Sequence, residues 1–415
     1  MTTSVATAQT LDAEAISRIS DHLDEADWLR SLRGEWWARA SATPPPTGDE
    51  EEWRRTDLAP LPRQGELLVD APEVAISLPG GAAEAGVVVS DLRAAVRDHP
   101  DLVQRWLGRS QGQASHAHFW ALAQAGWTGG LFVHVPRGVA VDGTIVARTV
   151  LDRNDVTYLP ITLVVAEEGS SVTVLDEVVS PDGGAAWYGG IVEIRAEQAA
   201  HVRYANLQQL GDAAWNIGAQ RVVVGQDATV TTLNAEVGSR VTKLGLDVDM
   251  SGKGGTSRLL GMLAAGDDQH IDINAHQGLA ADHTTSDLLY LSALYDRARA
   301  AFYGVTTVEV GTKQTASYQE CRNLLLSPKA GAEPIPVLEI MANDILRCGH
   351  GATAGAIDPA QLFYAQSRGL DPDAAERMIV RGFFEQVVAQ IGDVAIRERV
   401  LAALARRIGS TEGMA

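Results

Sequence analysis

The fold of this chain is decided by three similar stretches, Ala166-Glu-Glu-Gly-Ser-Ser171, Ala196-Glu-Gln-Ala-Ala200 and Val224-Gly-Gln-Asp-Ala228. Each stretch follows one run of β-forming residues and precedes another. Their last residues lie 29 and 28 positions apart. A repeat of this length, built from short strands and tight corners, is typical of a solenoid whose coils stack on one another.

Short β-type runs, broken by Gly, Asp and Asn, extend from about residue 129 to about residue 347. They include residues 131–135, 161–165, 171–175, 190–194, 221–224, 229–233 and 337–340. We predict that residues 129–355 form a β-solenoid core, with small residues at the corners where the chain turns. A two-sheet sandwich or a cupin-like barrel is the competing fold.

Apolar residues at helical spacing mark the chain before the β region. They occupy residues 11–40 and return in two later segments that begin with the N-cap residues Asp91 and Ser115. We therefore predict an N-terminal helical domain over residues 1–128.

Helical signals return after Ile357. Asp358-Pro359 and Asp371-Pro372 each place Asp at an N-cap and Pro in the first turn. We predict a C-terminal helical domain, residues 356–415, that ends in a pair of antiparallel helices. The apolar face of this pair lies either on the end of the solenoid or against another protein. The face includes Phe383, Val387 and Ile391.

Composition excludes several classes of protein. The chain has 415 residues, 46% of them hydrophobic, and a formal net charge of −19. The acidic excess repels phosphates, so nucleic acid and anionic membranes are poor partners. No segment approaches the ~18 uncharged apolar residues that a membrane span needs, and the first residues lack an export signal. We expect a cytoplasmic protein.

The two cysteines are Cys321 and Cys348. Two thiols do not build a disulfide framework, which fits a reducing compartment. Two thiols are also too few to hold an iron–sulfur cluster with four thiolates from one chain.

Cys348 lies in the most informative motif, Arg347-Cys-Gly-His-Gly-Ala-Thr353. In an extended strand Cys348 and His350 point the same way. Thiolate and imidazole both ligate iron, and the glycines permit close approach by another backbone. Two donors do not complete a site, so a cluster here needs further ligands, most simply from a partner chain. The alternative is a buried cysteine beside a loop histidine.

A second polar group, His270, Asp272, Asn274 and His276, alternates along one predicted strand and therefore shares a face. Imidazole and carboxylate are ligands for zinc or iron. A solvated face, or a ladder of buried hydrogen bonds, would give the same pattern.

Several blocks, all in one order, resemble the SufB/SufD family over roughly residues 50 to 390. Glu52-Trp-Arg-Arg-Thr-Asp-Leu58 is similar to the family block E-W-R-Y-T-D-L, with Arg55 where Tyr is usual. Phe132-Val-His-Val-Pro-Arg-Gly-Val139 is similar to its V-P-K-G-V block. Further similar blocks lie at residues 269–272, 283–290, 296–299, 302–304, 318–319, 323–327 and 338–369.

The motif around His350 favours the SufD branch of this family. SufB-like chains carry E-H-E-A-T at this place, whereas SufD-like chains carry C-S-H-G-A-T. Here Gly349 replaces the serine, and Cys348 and His350 keep their positions. The resemblance implies a right-handed parallel β-helix between helical terminal domains.

The resemblance also implies a function, that of a non-catalytic scaffold subunit of the SUF machinery for iron–sulfur cluster biogenesis. Such a subunit pairs with SufB through the β-helix cores and binds the SufC ATPase through its C-terminal helices. His350 matches the family position implicated in building a transient cluster at the SufB–SufD interface, and Cys348 matches a neighbouring interface cysteine. We expect no cluster stably bound by the isolated chain, for which a homodimer is an alternative. Phe383, Val387 and Ile391 are the expected SufC-docking residues.

A carbohydrate-active lyase or hydrolase on a β-helix is the alternative function. It would need paired carboxylates along an exposed groove. The adjacent pairs Glu167/Glu168 and Asp267/Asp268 lie in turn-like sequence, where solvated corners are expected.

Overall fold

The β region folds as a stack of coils, each built from two strands joined by a corner. The computed structural model describes residues 11–62 and 65–409. In one sheet Ile191 pairs with Ile161 of the preceding coil, 30 residues away, and with Ala219 of the following coil, 28 residues away. The strands pair in parallel, and these spacings match the repeat of the corner sequences. The predicted solenoid is confirmed.

Two sheets form the walls of the solenoid. The twelve-stranded first sheet contains β1 (Glu66–Leu67), β3 (Val88–Asp91), β4 (Gly130–Val135), β6 (Val156–Tyr158), β7 (Ile161–Ala166), β9 (Ala186–Tyr188), β10 (Ile191–Ala196), β12 (Trp215–Val224), β14 (Val241–Met250), β16 (His270–Leu279), β18 (Arg299–Val308) and β20 (Gly331–Ile340). The nine-stranded second sheet contains β2 (Val74–Ser77), β5 (Ala140–Val150), β8 (Ser171–Val179), β11 (His201–Gln209), β13 (Thr229–Glu236), β15 (Thr256–Ala265), β17 (Thr285–Leu294), β19 (Lys313–Leu325) and β21 (Asp344–Gly355).

Helices occupy both ends of the chain. They are α1 (Ala13–His22), α2 (Asp27–Ala42), α3 (Leu92–Asp98), α4 (Pro100–Trp106), α5 (Ala117–Gly126), α6 (Pro359–Ser367), α7 (Pro372–Val388) and α8 (Val394–Gly409). The tryptophan-rich N-terminal helices pack on the outer face of the first sheet. Helices α7 and α8 pack on the outer face of the second sheet.

The corner sequences work through one backbone position. Gly169, Ala199 and Asp227 are the equivalent residues of the three quoted stretches, and each has a positive φ between 54° and 68°. The N–H group of each donates to a carbonyl of the next coil, those of Gln198, Gln226 and Lys253 respectively. These hydrogen bonds therefore involve a residue in the left-handed conformation at each corner. That conformation favours Gly and tolerates Asp, which explains Gly169 and Asp227 at these positions.

The N-terminal domain differs from its prediction in two ways. Residues 74–91, which were expected to belong to a helical domain, supply β2 and β3, and these strands pair antiparallel with β5 and β4. Ser115 does not cap α5, because its hydroxyl contacts Nδ1 of His116 at 3.0 Å and that helix has no side-chain cap. Asp91 caps α3 as predicted. Residues 1–10, 63, 64 and 410–415 of the predicted terminal domains lie outside the described residues.

Candidate functional site at the end of the solenoid

Cys348 and His350 lie on β21, the last strand of the second sheet. In the register with β19, Cys348 pairs with Ser317 and His350 pairs with Gln319. Ser317 and Gln319 are both buried on the inner face of the sheet. The structure therefore places Cys348 and His350 on the same inward face, at the coil where the solenoid ends.

No further coil of the described chain covers these two side chains, and they differ in exposure. Cys348 is half-buried and packs against the solenoid core, whereas His350 is exposed. Burial raises the pKa of the Cys348 thiol. The thiol is therefore protonated at neutral pH, and it becomes a good ligand only when a metal displaces its proton.

The motif offers two donors to a metal, the thiol of Cys348 and the imidazole of His350. Within residues 11–62 and 65–409, no group of three or more His, Cys, Asp or Glu side chains is arranged to hold a metal ion. Tetrahedral iron in an iron–sulfur cluster needs a fuller set of ligands. A metal held by Cys348 and His350 would therefore need further ligands.

A series of buried side-chain hydrogen bonds, which we call the polar ladder, lies inside the solenoid next to the motif. Ser317 donates to the carbonyl oxygen of Ser286 at 2.7 Å, and the side chain of Gln319 bonds the Thr306 hydroxyl at 2.6 Å. Thr306 in turn donates to Gln277 at 3.1 Å. Buried, mutually satisfied hydrogen bonds fix the register of the strands beneath β21. Sequence reasoning missed this ladder, because its members come from four different strands.

The two glycines of the motif lie beside Tyr318 of the preceding coil. A Cβ atom at Gly349 would lie 3.5 Å from the ring of Tyr318, and one at Gly351 would lie 3.1 Å from its hydroxyl. The Arg347 guanidinium stacks over this ring at 5.6 Å and bonds Asp287 at 2.7 Å. Within the chain, Gly351 leaves room for the Tyr318 hydroxyl on the outer face, and close approach by the backbone of another molecule stays a prediction.

The alternating group on β16 is a buried hydrogen-bonded ladder. The carboxylate of Asp272 accepts from the Thr56 hydroxyl at 2.6 Å and pairs with Lys243 at 2.8 Å. Nε2 of His270 also lies 3.2 Å from the Thr56 hydroxyl. Burial lowers the pKa of His270 and that of Lys243. Of the alternatives left open by the sequence, the structure supports the ladder, which holds the segment around Trp53 against the first sheet.

The predicted docking residues of the C-terminal helices require a correction. Val387 and Ile391 are fully buried, and Phe383 is half-buried against the same cluster. All three pack on the outer face of the second sheet, so Val387 and Ile391 are not available to a partner. An amphipathic pattern shows that a face is covered but not what covers it.

Exposed apolar residues of this domain lie elsewhere, and several of them are on α6 and α7. Phe363, Tyr364 and Met378 are exposed by 72%, 60% and 51%. Exposed aromatic and methionine side chains of this kind are typical of protein contact surfaces.

The adjacent carboxylates do not form a hydrolytic pair. Glu168 bonds Arg137 at 2.8 Å, and Glu167 accepts from His134 at 3.1 Å. Asp268 is bonded by Arg297. Both pairs thus lie at corners of the solenoid in ion pairs, as the turn-like sequence predicted.

Comparison with known proteins gives a consistent result. Residues 149–383 match the family described as SUF system FeS cluster assembly, SufBD core domain, and residues 74–146 match the SufBD protein N-terminal region. The chain is 30% identical over 287 residues to an iron-sulfur cluster assembly SufBD family protein of Mycobacterium leprae, which covers 68% of this chain and 70% of that protein.

Two further relatives extend the match. Over 446 aligned positions the chain is 26% identical to the iron-sulfur cluster assembly protein SufD of Bacillus subtilis, which covers 97% of this chain and 99% of that protein. It is 27% identical over 307 residues to a SufBD family protein of Staphylococcus saprophyticus, where the match spans 66% of the relative's length. None of the described helices combines the length and apolar character needed to cross a bilayer.

Proposed function

Because the chain belongs to the SufB/SufD family of the SUF system for iron–sulfur cluster assembly, we propose that it is a non-catalytic scaffold subunit that pairs with a SufB subunit and shares a nascent cluster with it. ATP hydrolysis belongs to a SufC partner, and the complex works in the cytoplasm. Two free cysteines fit the reducing conditions of that compartment.

The observation that carries this proposal is the position of Cys348 and His350. They are adjacent inward-facing residues on the terminal strand, and no described coil follows them. A thiol and an imidazole supply two of the ligands that cluster iron takes, and a partner seated on the open end would supply the others. The iron and sulfide are the cargo of this site.

The two residues have different parts in the assembly. Burial holds the Cys348 thiol in its protonated form, so iron binding there releases a proton and becomes more favourable as pH rises. His350 is exposed and is the donor that incoming iron reaches first. The ladder through Ser317 and Gln319 keeps the strand in place while the ligands exchange.

Co-expression with the SufB and SufC partners tests this role of His350. We expect His350→Ala to lower bound iron and sulfide in the reconstituted complex by about tenfold, as is common when a metal ligand is lost. The matched control is His201→Ala, which removes an exposed histidine from β11. A His350→Ala complex that assembles and fills with clusters at the full rate would refute the proposal.

We propose further that SufC docks on the exposed face of α6 and α7. The apolar residues of this face include Phe363 and Met378, which the solenoid leaves exposed. We expect Phe363→Glu with Met378→Glu to abolish co-purification of SufC and to leave SufB bound, since a buried charge opposes docking. Leu78→Glu, an exposed apolar residue near the first coil, is the control. Retention of SufC by the double variant would show that the ATPase binds elsewhere.

A further inference from the structure

A second polar cleft lies far along the sheet from the Cys348 strand, between α8 and the first coils of the second sheet. Its volume is about 450 Å³. We call it the arginine cleft, and the polar side chains that define it are Arg148, Glu177, Gln209, Arg399 and Arg406. None of these residues has a part in the function proposed above.

Two structural elements bring the arginines together. Arg148 on β5 is the register partner of Glu177 on β8, so the two lie side by side on the outer face. Arg399 and Arg406 are seven residues apart on α8, two helical turns, and face the same way. The cleft therefore has cationic groups on both walls.

The single carboxylate of the cleft, that of Glu177, already forms an ion pair with Arg399. Glu177 is buried, and its Oε2 pairs with Arg399 at 3.0 Å. Arg406 donates to the neutral amide oxygen of Gln209 at 2.7 Å. Among the described residues, neither Arg148 nor Arg406 has a carboxylate partner. Two guanidinium groups thus remain uncompensated in a chain whose formal net charge is −19.

We propose that the arginine cleft binds the phosphate group of a small molecule. Guanidinium forks match phosphate oxygens in two-pronged hydrogen bonds, and a doubly charged anion would neutralise Arg148 and Arg406 together. A phosphate held by both residues links the solenoid wall to α8. The source of the phosphate is either the free inorganic ion or the phosphate chain of a nucleotide.

Isothermal titration of the full chain with inorganic phosphate, and separately with ATP, tests the proposal. We expect saturable binding that weakens by about tenfold or more in Arg148→Ala with Arg406→Ala, because two charge-assisted contacts are lost. Both residues are exposed, so the fold tolerates the change. The control is Arg39→Ala, which removes one exposed arginine from α2 and should alter the affinity less than twofold.

Thermal unfolding gives a second reading. Phosphate should raise the unfolding midpoint of the wild-type chain more than sodium chloride of equal ionic strength, and the double variant should lose this difference. Binding of ATP alone, with the same dependence on Arg148 and Arg406, would support the proposal and identify the source as a nucleotide. Equal affinities in the wild type and the double variant, or binding of an acidic peptide in place of phosphate, would overturn it.

Discussion

At the residue scale, Lys243 shows how a charged side chain is kept inside this protein. It is fully buried, its ammonium pairs with Asp272 at 2.8 Å, and it lies 4.9 Å from the ring centroid of Trp53. Burial lowers its pKa, and Asp272 opposes that shift. The ion pair therefore holds the Trp53 segment on the solenoid at the cost of desolvating two charges.

Removing one partner of this pair should be far more damaging than removing an exposed one. We expect Asp272→Asn to lower the free energy of unfolding by about 3 kcal/mol, because Lys243 keeps its charge without a compensating carboxylate. Asp268→Asn, which breaks an exposed pair with Arg297, should lower the free energy of unfolding far less, because solvent screens that pair. Urea unfolding at pH 7 measures both, and equal losses would contradict this account.

Glu236 predicts a specific pH dependence of stability. It is fully buried, and burial raises its pKa from 4.5 to about 7, although hydrogen bonds from Gln208 and Asn216 oppose the shift. Between pH 4.5 and 7 the folded state keeps this proton while the unfolded chain releases it. Stability from Glu236 is therefore present at low pH and is lost as pH rises through that window.

We expect Glu236→Gln to remove this loss. Relative to the variant, the wild-type chain should lose about 3 kcal/mol of unfolding free energy between pH 4.5 and pH 8. The buried Asp176 is present in both proteins, so its own titration cancels in the comparison. Urea midpoints measured at steps of pH test the prediction, and parallel curves for the two proteins would count against it.

At the element scale, α8 is tied to the solenoid through Asp393, the residue that immediately precedes it. Asp393 accepts the N–H of Ile396 at 2.9 Å with one carboxylate oxygen and the Thr144 hydroxyl at 2.8 Å with the other. It is thus both the helix cap and a link to β5. Asp371, the cap of α7, accepts the N–H of Ala374, and within the described part of the chain it makes no tertiary hydrogen bond.

These two caps should therefore contribute different amounts to the free energy of unfolding. We expect Asp393→Ala to cost about 2 kcal/mol and Asp371→Ala about 1 kcal/mol, since only the first also loses a tertiary hydrogen bond. Thr144→Val in the Asp393→Ala background should then add little. Chemical unfolding gives the energies, and hydrogen exchange of the α8 amides shows where they act. Identical costs for the two caps would disprove the double role.

Sequence signals predicted the helix caps, which are local features, better than the tertiary contacts of the same helices. Asp358 and Asp371 could be identified as caps because capping depends on a few neighbouring residues. The same helices gave the wrong docking residues, since Val387 packs on a sheet whose strands lie far earlier in the chain. A hydrophobic stripe carries no record of what covers it.

At the scale of the whole molecule, the sequence was sufficient to predict the coils of the solenoid. It was insufficient to predict which segments pack on them. Corner residues such as Gly169 and Asp227 repeat because each coil makes the same turn, so the spacing could be predicted. The strands β2 and β3 have four residues each, too few for a periodic signal. The contact of Lys243 with the Glu52 carbonyl joins residues 191 positions apart, which no local pattern encodes.

The terminal coil gives the molecule an open end. Among the described residues, β20 pairs only with β18 and β21 pairs only with β19, so each presents one free edge. Leu346 is 65% exposed there, and Met341 is 47% exposed beside it. Unpaired strand edges with apolar neighbours add strands from another chain, so this end is the surface on which we expect a SufB subunit to pair.

Charges placed at this end should separate pairing from folding. We expect Met341→Lys with Leu346→Lys to weaken pairing with SufB by at least about tenfold, because lysines at an edge strand resist strand addition. The unfolding free energy should change by less than about 0.5 kcal/mol per substitution, since both side chains are exposed. Sedimentation of mixtures with SufB measures the pairing, and Leu78→Lys, near the first coil, is the control. Undiminished pairing in the double variant would move the interface away from this end, and with it the second half of the Cys348 and His350 site.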